Sequence, residues 1–311
     1  MTHDIVASVS RRLLNLARAE GRPFGDVLQY FALQRFLYRL AQSPYRDKLV
    51  LKGALMLLAW QAPITRPTRD IDLLGHLNND VEHVMQVMRQ LCAQEVVEDG
   101  LRFDAASLTG QAIVEGAHYH GVRVCFTAYL GKMRIPMQID IGFGDPLVPG
   151  ATIIELPALL GYPPAELLGY SRESAIAEKL HAMFEREQLN SRMKDFYDIW
   201  LLATHYDFDG SVLAEAIQAT FSRRSVALSP DVVAFEEGFV NEGKRVQWAA
   251  FMRRSSLQFP ATLPEALAVI KPFLQPVLLA LAEGRVYRAH WPQGGPWTAG
   301  TERAQEFRVR P

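Results

Sequence analysis

The order of apolar and polar residues divides the chain into a mixed front half and a helical back half. Residues 5–42 repeat apolar side chains at helical spacing, and Gly21 and Pro23 interrupt them, so this segment predicts two helices. Residues 49–53 predict a short apolar strand, which an uncharged, buried helix follows. Nearly all of residues 173–283 has the helical period.

Alternation with a period of two predicts further strands in the front half. Residues 68–75 form one such strand, and residues 78–94 then predict a helix with Asn78 or Asn79 as its N-cap. Residues 121–145 alternate on both sides of a central Leu-Gly-Lys-Met turn, which predicts a β-hairpin.

These elements predict an α+β protein with a mixed sheet, flanking helices and a helical C-terminal domain. We expect an α/β domain with the N-terminal helices in residues 1–150 and a helical domain in residues 151–285. The segment after Asp145 is rich in proline and glycine and is interpreted as a connector. Residues 286–311 have little pattern and predict a loose C-terminal tail.

Composition and charge limit the function classes. The 311 residues are 49% apolar and 22% charged, with a net charge of -1, so no global basic field indicates nucleic-acid binding. Cys92 and Cys125 are too few for a disulfide framework and lack a zinc-ligand pattern. The N-terminus lacks the apolar run of a signal peptide, and no later segment is interpreted as a membrane span, so we expect a cytoplasmic protein without membrane contact.

Carboxylates on two predicted strands are the first candidates for chemistry. Asp70 and Asp72 share one strand face, with Cα atoms roughly 6.5–7 Å apart at about 3.3 Å rise per residue. Asp140 lies on the polar face of its own strand and joins the pair if the two strands are neighbours. Such a cluster suits Mg²⁺, which prefers oxygen ligands. The alternative is that all three aspartates face solvent on an ordinary amphipathic sheet.

A second candidate is the turn that links the first strand to the apolar helix. Lys52 and Gly53 stand at this turn, where glycine permits close backbone approach. The N-terminus of the following helix offers unpaired N–H groups that suit a phosphate. The alternative is that Gly53 only forms the turn.

The helical half supplies a third set of candidates. Lys179 lies at the margin of one apolar helix stripe, and Asp195 and Asp198 share a face of the next helix. A local basic patch, suited to a triphosphate or an RNA backbone, consists of Arg186, Arg192 and Lys194. The alternatives are an exposed lysine whose stem covers apolar surface, an aspartate that stabilises a helix start, and a solvated loop.

Four motifs, LKGALML, RPTRDIDLL, IDIGFGD and AEKLHAMFER…RMKDFYDI, follow one another between about Leu49 and Trp200. Together they resemble the AbiEii/AbiGii nucleotidyltransferase toxins, which include the MenT toxins and belong to the polymerase-β-like nucleotidyltransferase superfamily. The resemblance implies a nucleotidyltransferase-type mixed sheet and transfer of NMP from an NTP, dependent on Mg²⁺ or on Mn²⁺ in its place. It also implies an RNA acceptor, with tRNA 3′ ends as the expected target, and an antitoxin encoded adjacently in a toxin–antitoxin or phage-defence system.

The resemblance also assigns roles to residues of this chain. It implies that Asp70, Asp72 and Asp140 bind the metal and that Lys179 and Asp195 complete the catalytic set. With the candidates at the turn and in the basic patch added to those that match the family motifs, the residues expected to bind the nucleotide are Lys52, Gly53, Thr68, Arg69, Lys179, Arg192 and Lys194. One departure is Ala54, where many superfamily members have glycine or serine, so phosphate binding would rely on backbone N–H groups and Lys52.

Two other functions are compatible with these residues. The same chemistry could attach NMP to a protein hydroxyl, in which case labelled nucleotide would appear in a protein band. A non-catalytic module could instead bind RNA or a partner protein, although such a module has no use for converging carboxylates.

Overall fold

The computed structural model describes residues 2–63, 67–115 and 119–299. Residue contacts divide the chain into two compact units, Met1–Ser171 and Arg172–Pro311. The first contains the large sheet and the second is helical, so the predicted α+β class is confirmed.

The helices of the first unit begin with the two N-terminal helices that the apolar period predicts. These helices are α1 Thr2–Ala19, α2 Phe24–Ala41, α3 Met56–Ala59 after a 3₁₀ turn over Gly53–Leu55, and α4 Val81–Ala93. The predicted N-cap of α4 is wrong by one or two residues. The Asp80 carboxylate accepts the His83 N–H at 3.0 Å, while Asn78 accepts the N–H of Asp80.

Seven of the described strands form one mixed sheet in the first unit. Its strands are β1 Leu49–Lys52, β2 Asp70–Gly75, β3 Leu101–Glu115, β4 Tyr119–Leu130, β5 Met133–Phe143, β6 Thr152–Leu156 and β7 Ala165–Gly169. Their order is β3-β4-β5-β2-β1-β7-β6. The predicted hairpin is confirmed as β4 and β5, whose last pair, Leu130 and Met133, encloses a two-residue turn.

Three strands of this sheet were absent from the sequence prediction. Strand β3 pairs with β4 along the sheet edge. The segment interpreted as a connector forms β6 and β7 instead, and β7 runs parallel to β1, with Leu51 opposite Gly169. The units therefore divide after Ser171, whereas the sequence placed the domain boundary after residue 150.

A buried ionic cluster joins α2 to the segment before β3. Asp99 accepts from Arg35 Nε at 3.0 Å and from Arg39 at 2.7 and 3.1 Å, and all three residues are buried. One carboxylate therefore serves two guanidinium groups. Removing a partner from such a cluster leaves an uncompensated buried charge.

We expect Asp99→Asn to lower the free energy of unfolding by about 3–5 kcal/mol, because two buried arginines lose their counter-ion. Urea denaturation measures this loss. The control is Asp104→Asn, whose carboxylate is 3.7 Å from the exposed Arg102 and should cost less than about 1 kcal/mol. Equal losses in the two variants would contradict the role given to Asp99.

The second unit consists mainly of five described helices, as the helical period predicts. They are α5 Arg172–Arg186, α6 Met193–His205, α7 Gly210–Arg223, α8 Glu242–Arg254 and α9 Leu263–Ala282. By length and composition alone α9 could cross a membrane, although no segment is interpreted as a membrane span from the sequence. One face of α9 is buried in the core of this unit and includes Phe273, whose ring packs against those of Phe208 and Trp291.

The first part of the predicted loose tail is packed against this unit. Strands β8 Phe208–Asp209, β9 Ala289–Trp291 and β10 Thr298–Ala299 form a small antiparallel sheet. The Trp297 ring stacks on Phe273 with centroids 5.7 Å apart. Aromatic burial therefore orders residues 286–299, and the remaining tail residues, 300–311, lie outside the described residues.

Candidate active site

Two parallel strands at the centre of the sheet bring the predicted carboxylates together. Strand β2 runs beside β5 in a register that places Asp72 opposite Asp140. Asp70 lies two residues before Asp72 and therefore on the same face. One carboxylate oxygen from each of the three lies within 4.8 Å of the others, and all three residues are half-buried. The arrangement is close enough to share one metal ion.

Gly53 lies directly against this carboxylate cluster. Strand β1 pairs with β2 so that Lys52 is opposite Asp72, and Gly53 follows with a φ of +74°. A Cβ atom at Gly53 would stand 2.0 Å from Asp72 Oδ2. Only glycine both adopts this backbone conformation readily and leaves room for the carboxylate.

Thr68 and Arg69 precede β2 and have different surroundings. The Thr68 hydroxyl donates to the Asp70 carboxylate, so it orients the first aspartate of the pair. The Arg69 side chain is 83% exposed and lies 3.4 Å from Asp26. Its placement near the nucleotide stays a prediction.

Asp140 is held by two side chains that the sequence prediction did not include. Arg123 of β4 is its cross-strand partner and donates through Nε at 2.8 Å and Nη2 at 2.7 Å. Gln138 donates to the same carboxylate at 3.2 Å. The hydrogen bonds to Asp140 raise the pKa of the Arg123 guanidinium above its ordinary value. Arg123 therefore brings a fixed positive charge to the cluster.

Lys52 is paired with Asp145, which the sequence prediction also left out. Its ammonium group lies 3.1 Å from the buried Asp145, which follows β5, and 5.6 Å from the centroid of the Tyr170 ring. The side chain therefore has a counter-ion within its own unit. The contact of Lys52 with a phosphate group stays a prediction.

The predicted residues of the second unit form their own ionic cluster. Lys179 of α5 lies 2.9 Å from Asp198 and 3.7 Å from Asp195, and both aspartates are buried. Arg192 donates to Asp195 at 2.6 Å. Lys194 is exposed at the start of α6. Of the candidates named from the sequence, the structure thus brings Lys179, Arg192, Asp195 and Asp198 together.

One known protein-family model covers all four sequence motifs. The family model described as "Nucleotidyl transferase AbiEii toxin, Type IV TA system" matches residues 35–269, about three quarters of the chain. The chain belongs to this AbiEii nucleotidyltransferase toxin family. The resemblance drawn from the four motifs, the nucleotidyltransferase class and the membership of a toxin–antitoxin system are thereby confirmed.

Solved structures give weaker likenesses to this AbiEii-family chain. The crystal structure of JHP933 from Helicobacter pylori is 16% identical, covers 80% of this chain and 90% of its own, and has a TM-score of 0.43. A second H. pylori structure, described as a putative nucleotidyltransferase, is also 16% identical, with coverages of 80% and 93% and a TM-score of 0.41. No curated protein matches this chain at a significant level. At such identities neither likeness bears on what this AbiEii-family chain binds.

Two substitutions of Lys179 in this AbiEii-family chain distinguish its effect on folding stability from its effect on nucleotide transfer. We expect Lys179→Met to cost about 2–4 kcal/mol of unfolding free energy, because two buried aspartates lose a nearby cation. Lys179→Arg keeps the charge and should preserve most of that stability. Urea denaturation and nucleotide transfer are measured on both variants. Lost transfer in a methionine variant that is still folded supports a role for the Lys179 charge, and full transfer in that variant contradicts it.

Proposed function

We propose that this AbiEii-family chain transfers NMP from an NTP to the 3′ end of tRNA and requires a divalent metal ion. The observation that carries the proposal is the approach of Asp70, Asp72 and Asp140 on two adjacent strands. Like charges so close repel one another, so their clustering suggests a cationic ligand. The family supports nucleotide transfer, and the RNA acceptor is our inference.

The residues present fit a magnesium or manganese ion. All three offer carboxylate oxygens, the donor type that these cations prefer. Gly53 leaves the space that the Asp72 carboxylate occupies. A bound divalent ion would neutralise triphosphate charge and polarise the phosphorus that is attacked.

The chain's own residues then have distinct tasks. Asp70 and Asp72 would hold the ion from one strand, with Thr68 orienting Asp70. Asp140 either joins them or accepts the proton of the acceptor hydroxyl. In the transfer, the acceptor oxygen bonds to the α-phosphorus while the bond to the leaving pyrophosphate breaks. Such reactions depend chiefly on positioning and on charge stabilisation.

The triphosphate contacts are proposed from the resemblance and from side-chain chemistry. In the first unit, we propose that backbone N–H groups near Gly53 bind phosphate, assisted by Lys52 and Arg69. In the second unit, the residues assigned to the same reaction are Lys179, Arg192, Lys194 and Asp195. The proposed setting is the cytoplasm, with a cognate antitoxin encoded beside the toxin.

The acceptor is identified by following labelled nucleotide. Purified full-length chain is incubated with total tRNA, Mg²⁺ and each α-³²P-labelled NTP in turn, with and without EDTA. Label in tRNA that EDTA abolishes is the expected result, and it also names the nucleotide. Label in a protein band would instead support modification of a protein hydroxyl. Metal-independent RNA binding without any transfer would support the non-catalytic alternative and contradict the proposal.

A further inference from the structure

Arg123 is a permanent cation bonded to one member of the carboxylate cluster. Its guanidinium engages both Asp140 oxygens, Nε reaching Oδ1 at 2.8 Å and Nη2 reaching Oδ2 at 2.7 Å. Gln138 adds a neutral donor to Oδ2 at 3.2 Å. An incoming metal ion would therefore meet a carboxylate whose two oxygens already accept hydrogen bonds.

The Arg123 guanidinium has two opposite electrostatic effects on the carboxylate cluster. Negative charges on the three carboxylates, which each place one oxygen within 4.8 Å of the others, repel one another, and the guanidinium bonded to Asp140 offsets part of that repulsion. The same guanidinium repels any second cation that enters. Its side chain is 36% exposed, so solvent weakens both effects without removing them.

We propose that Arg123 is the resident counter-ion of the carboxylate cluster and that it lowers the cluster's affinity for a divalent ion by competing for Asp140. This inference rests on the proposed metal site and adds to it the residue that sets metal affinity. Arg123 is then a positioning residue, because it acts through Asp140 and is assigned no contact with the reacting atoms.

The neighbouring Gln138 allows the counter-ion role of Arg123 to be distinguished from a role that only orients Asp140. If Arg123 only oriented Asp140, its removal would loosen a metal ligand and weaken metal binding. Gln138 still donates to Asp140 when the arginine is gone, so part of the orientation persists without the charge. The two roles therefore predict changes of opposite sign.

The experiment titrates Mn²⁺ into metal-free full-length chain by isothermal calorimetry and compares variants. Arg123→Gln is expected to bind Mn²⁺ about tenfold more tightly, since a unit charge close to a divalent ion opposes binding by about that factor even in a high dielectric. Arg123→Lys keeps the charge and should stay within about twofold of the unmodified chain. Asp70→Asn defines the site-specific signal, which it should abolish.

Thermal unfolding supplies a second readout that does not need activity. In EDTA, Arg123→Gln should melt below the unmodified chain, because the carboxylates have lost their counter-ion. Saturating Mn²⁺ should raise its melting temperature by more than that of the unmodified chain, because a tighter ligand stabilises more. If Arg123→Gln fails to fold, Arg123→Met replaces it as the uncharged variant.

Weaker or unchanged Mn²⁺ affinity in the uncharged variants would overturn the inference and would mean that Arg123 only orients Asp140. So would the absence, in every variant, of a Mn²⁺ signal that Asp70→Asn removes. If the predicted affinities appear but no NTP yields transferred nucleotide, the counter-ion role stands and the proposed function fails. The two proposals therefore fail on different measurements.

Discussion

Asp70→Asn is expected to lower nucleotide transfer about 1,000-fold, because removing a ligand charge forfeits several kcal/mol of transition-state stabilisation. The substitution keeps the side-chain shape and an oxygen that can accept from Thr68. In metal-free buffer the variant should be as stable as the unmodified chain or more so, since one of three mutually repelling carboxylates is gone. Initial rates with labelled NTP and thermal unfolding in EDTA measure the two effects.

The matched control for this variant is Asp47→Asn. Asp47 is an exposed aspartate just before β1 and lies outside the carboxylate cluster. We expect unchanged transfer and a stability within about 0.5 kcal/mol of the unmodified chain. An Asp70→Asn variant with transfer equal to that of Asp47→Asn would contradict the assignment of Asp70 to the site.

Gly53→Ala is expected to lower transfer about 100-fold and to destabilise the fold as well. Its Cβ would stand 2.0 Å from Asp72 Oδ2, so either the carboxylate or the backbone must move. A displacement of about 1 Å at a catalytic group can cost a factor of this size. The positive φ adds roughly 1–2 kcal/mol of strain for a residue with a Cβ.

Two other glycines separate the causes of this loss. Gly21 has a φ of +63°, and no atom lies within 4 Å of the position that a Cβ would take there, so Gly21→Ala should show the conformational strain alone. Gly25 lies in α2 with open space and no positive φ, so Gly25→Ala should be neutral or stabilising. Both variants should keep full transfer. A Gly53→Ala variant that behaves like Gly21→Ala would show that the contact with Asp72 does not matter.

The position of each carboxylate on its strand followed from the period-two alternation, but the meeting of the strands did not. Ile71 and Ile139 are buried, which fixes the polar faces of β2 and β5. The parallel pairing that brings Asp72 opposite Asp140 joins segments far apart in sequence. No local pattern specifies such a pairing, and only the family resemblance implied that the three carboxylates lie together.

Arg123 could have been found from the sequence. A two-residue turn fixes the register of an antiparallel hairpin, and the Leu130–Met133 pair places Arg123 opposite Asp140. The signal was the charge complementarity of that pair. The hairpin was predicted from the alternation of apolar residues alone, without pairing its charged residues across the two strands.

The missed strands lack a clear local pattern. Strand β3 has a register shift between Asp104 and Thr109, which interrupts its alternation. Strands β6 and β7 lie among prolines and glycines, and β7 is fixed by its pairing with β1 rather than by its own composition. The packing of Trp297 on Phe273 is likewise a tertiary contact, and the local sequence of residues 286–299 does not predict it.

Anomalous diffraction from crystals soaked in Mn²⁺ tests the central claim most directly. Data collected on the high-energy side of the manganese absorption edge identify a density peak as manganese by its anomalous signal. The account predicts a peak in contact with the carboxylates of Asp70 and Asp72, and no such peak in Asp70→Asn crystals grown in the same way. No peak at this cluster, from a preparation that transfers nucleotide in Mn²⁺, would contradict it.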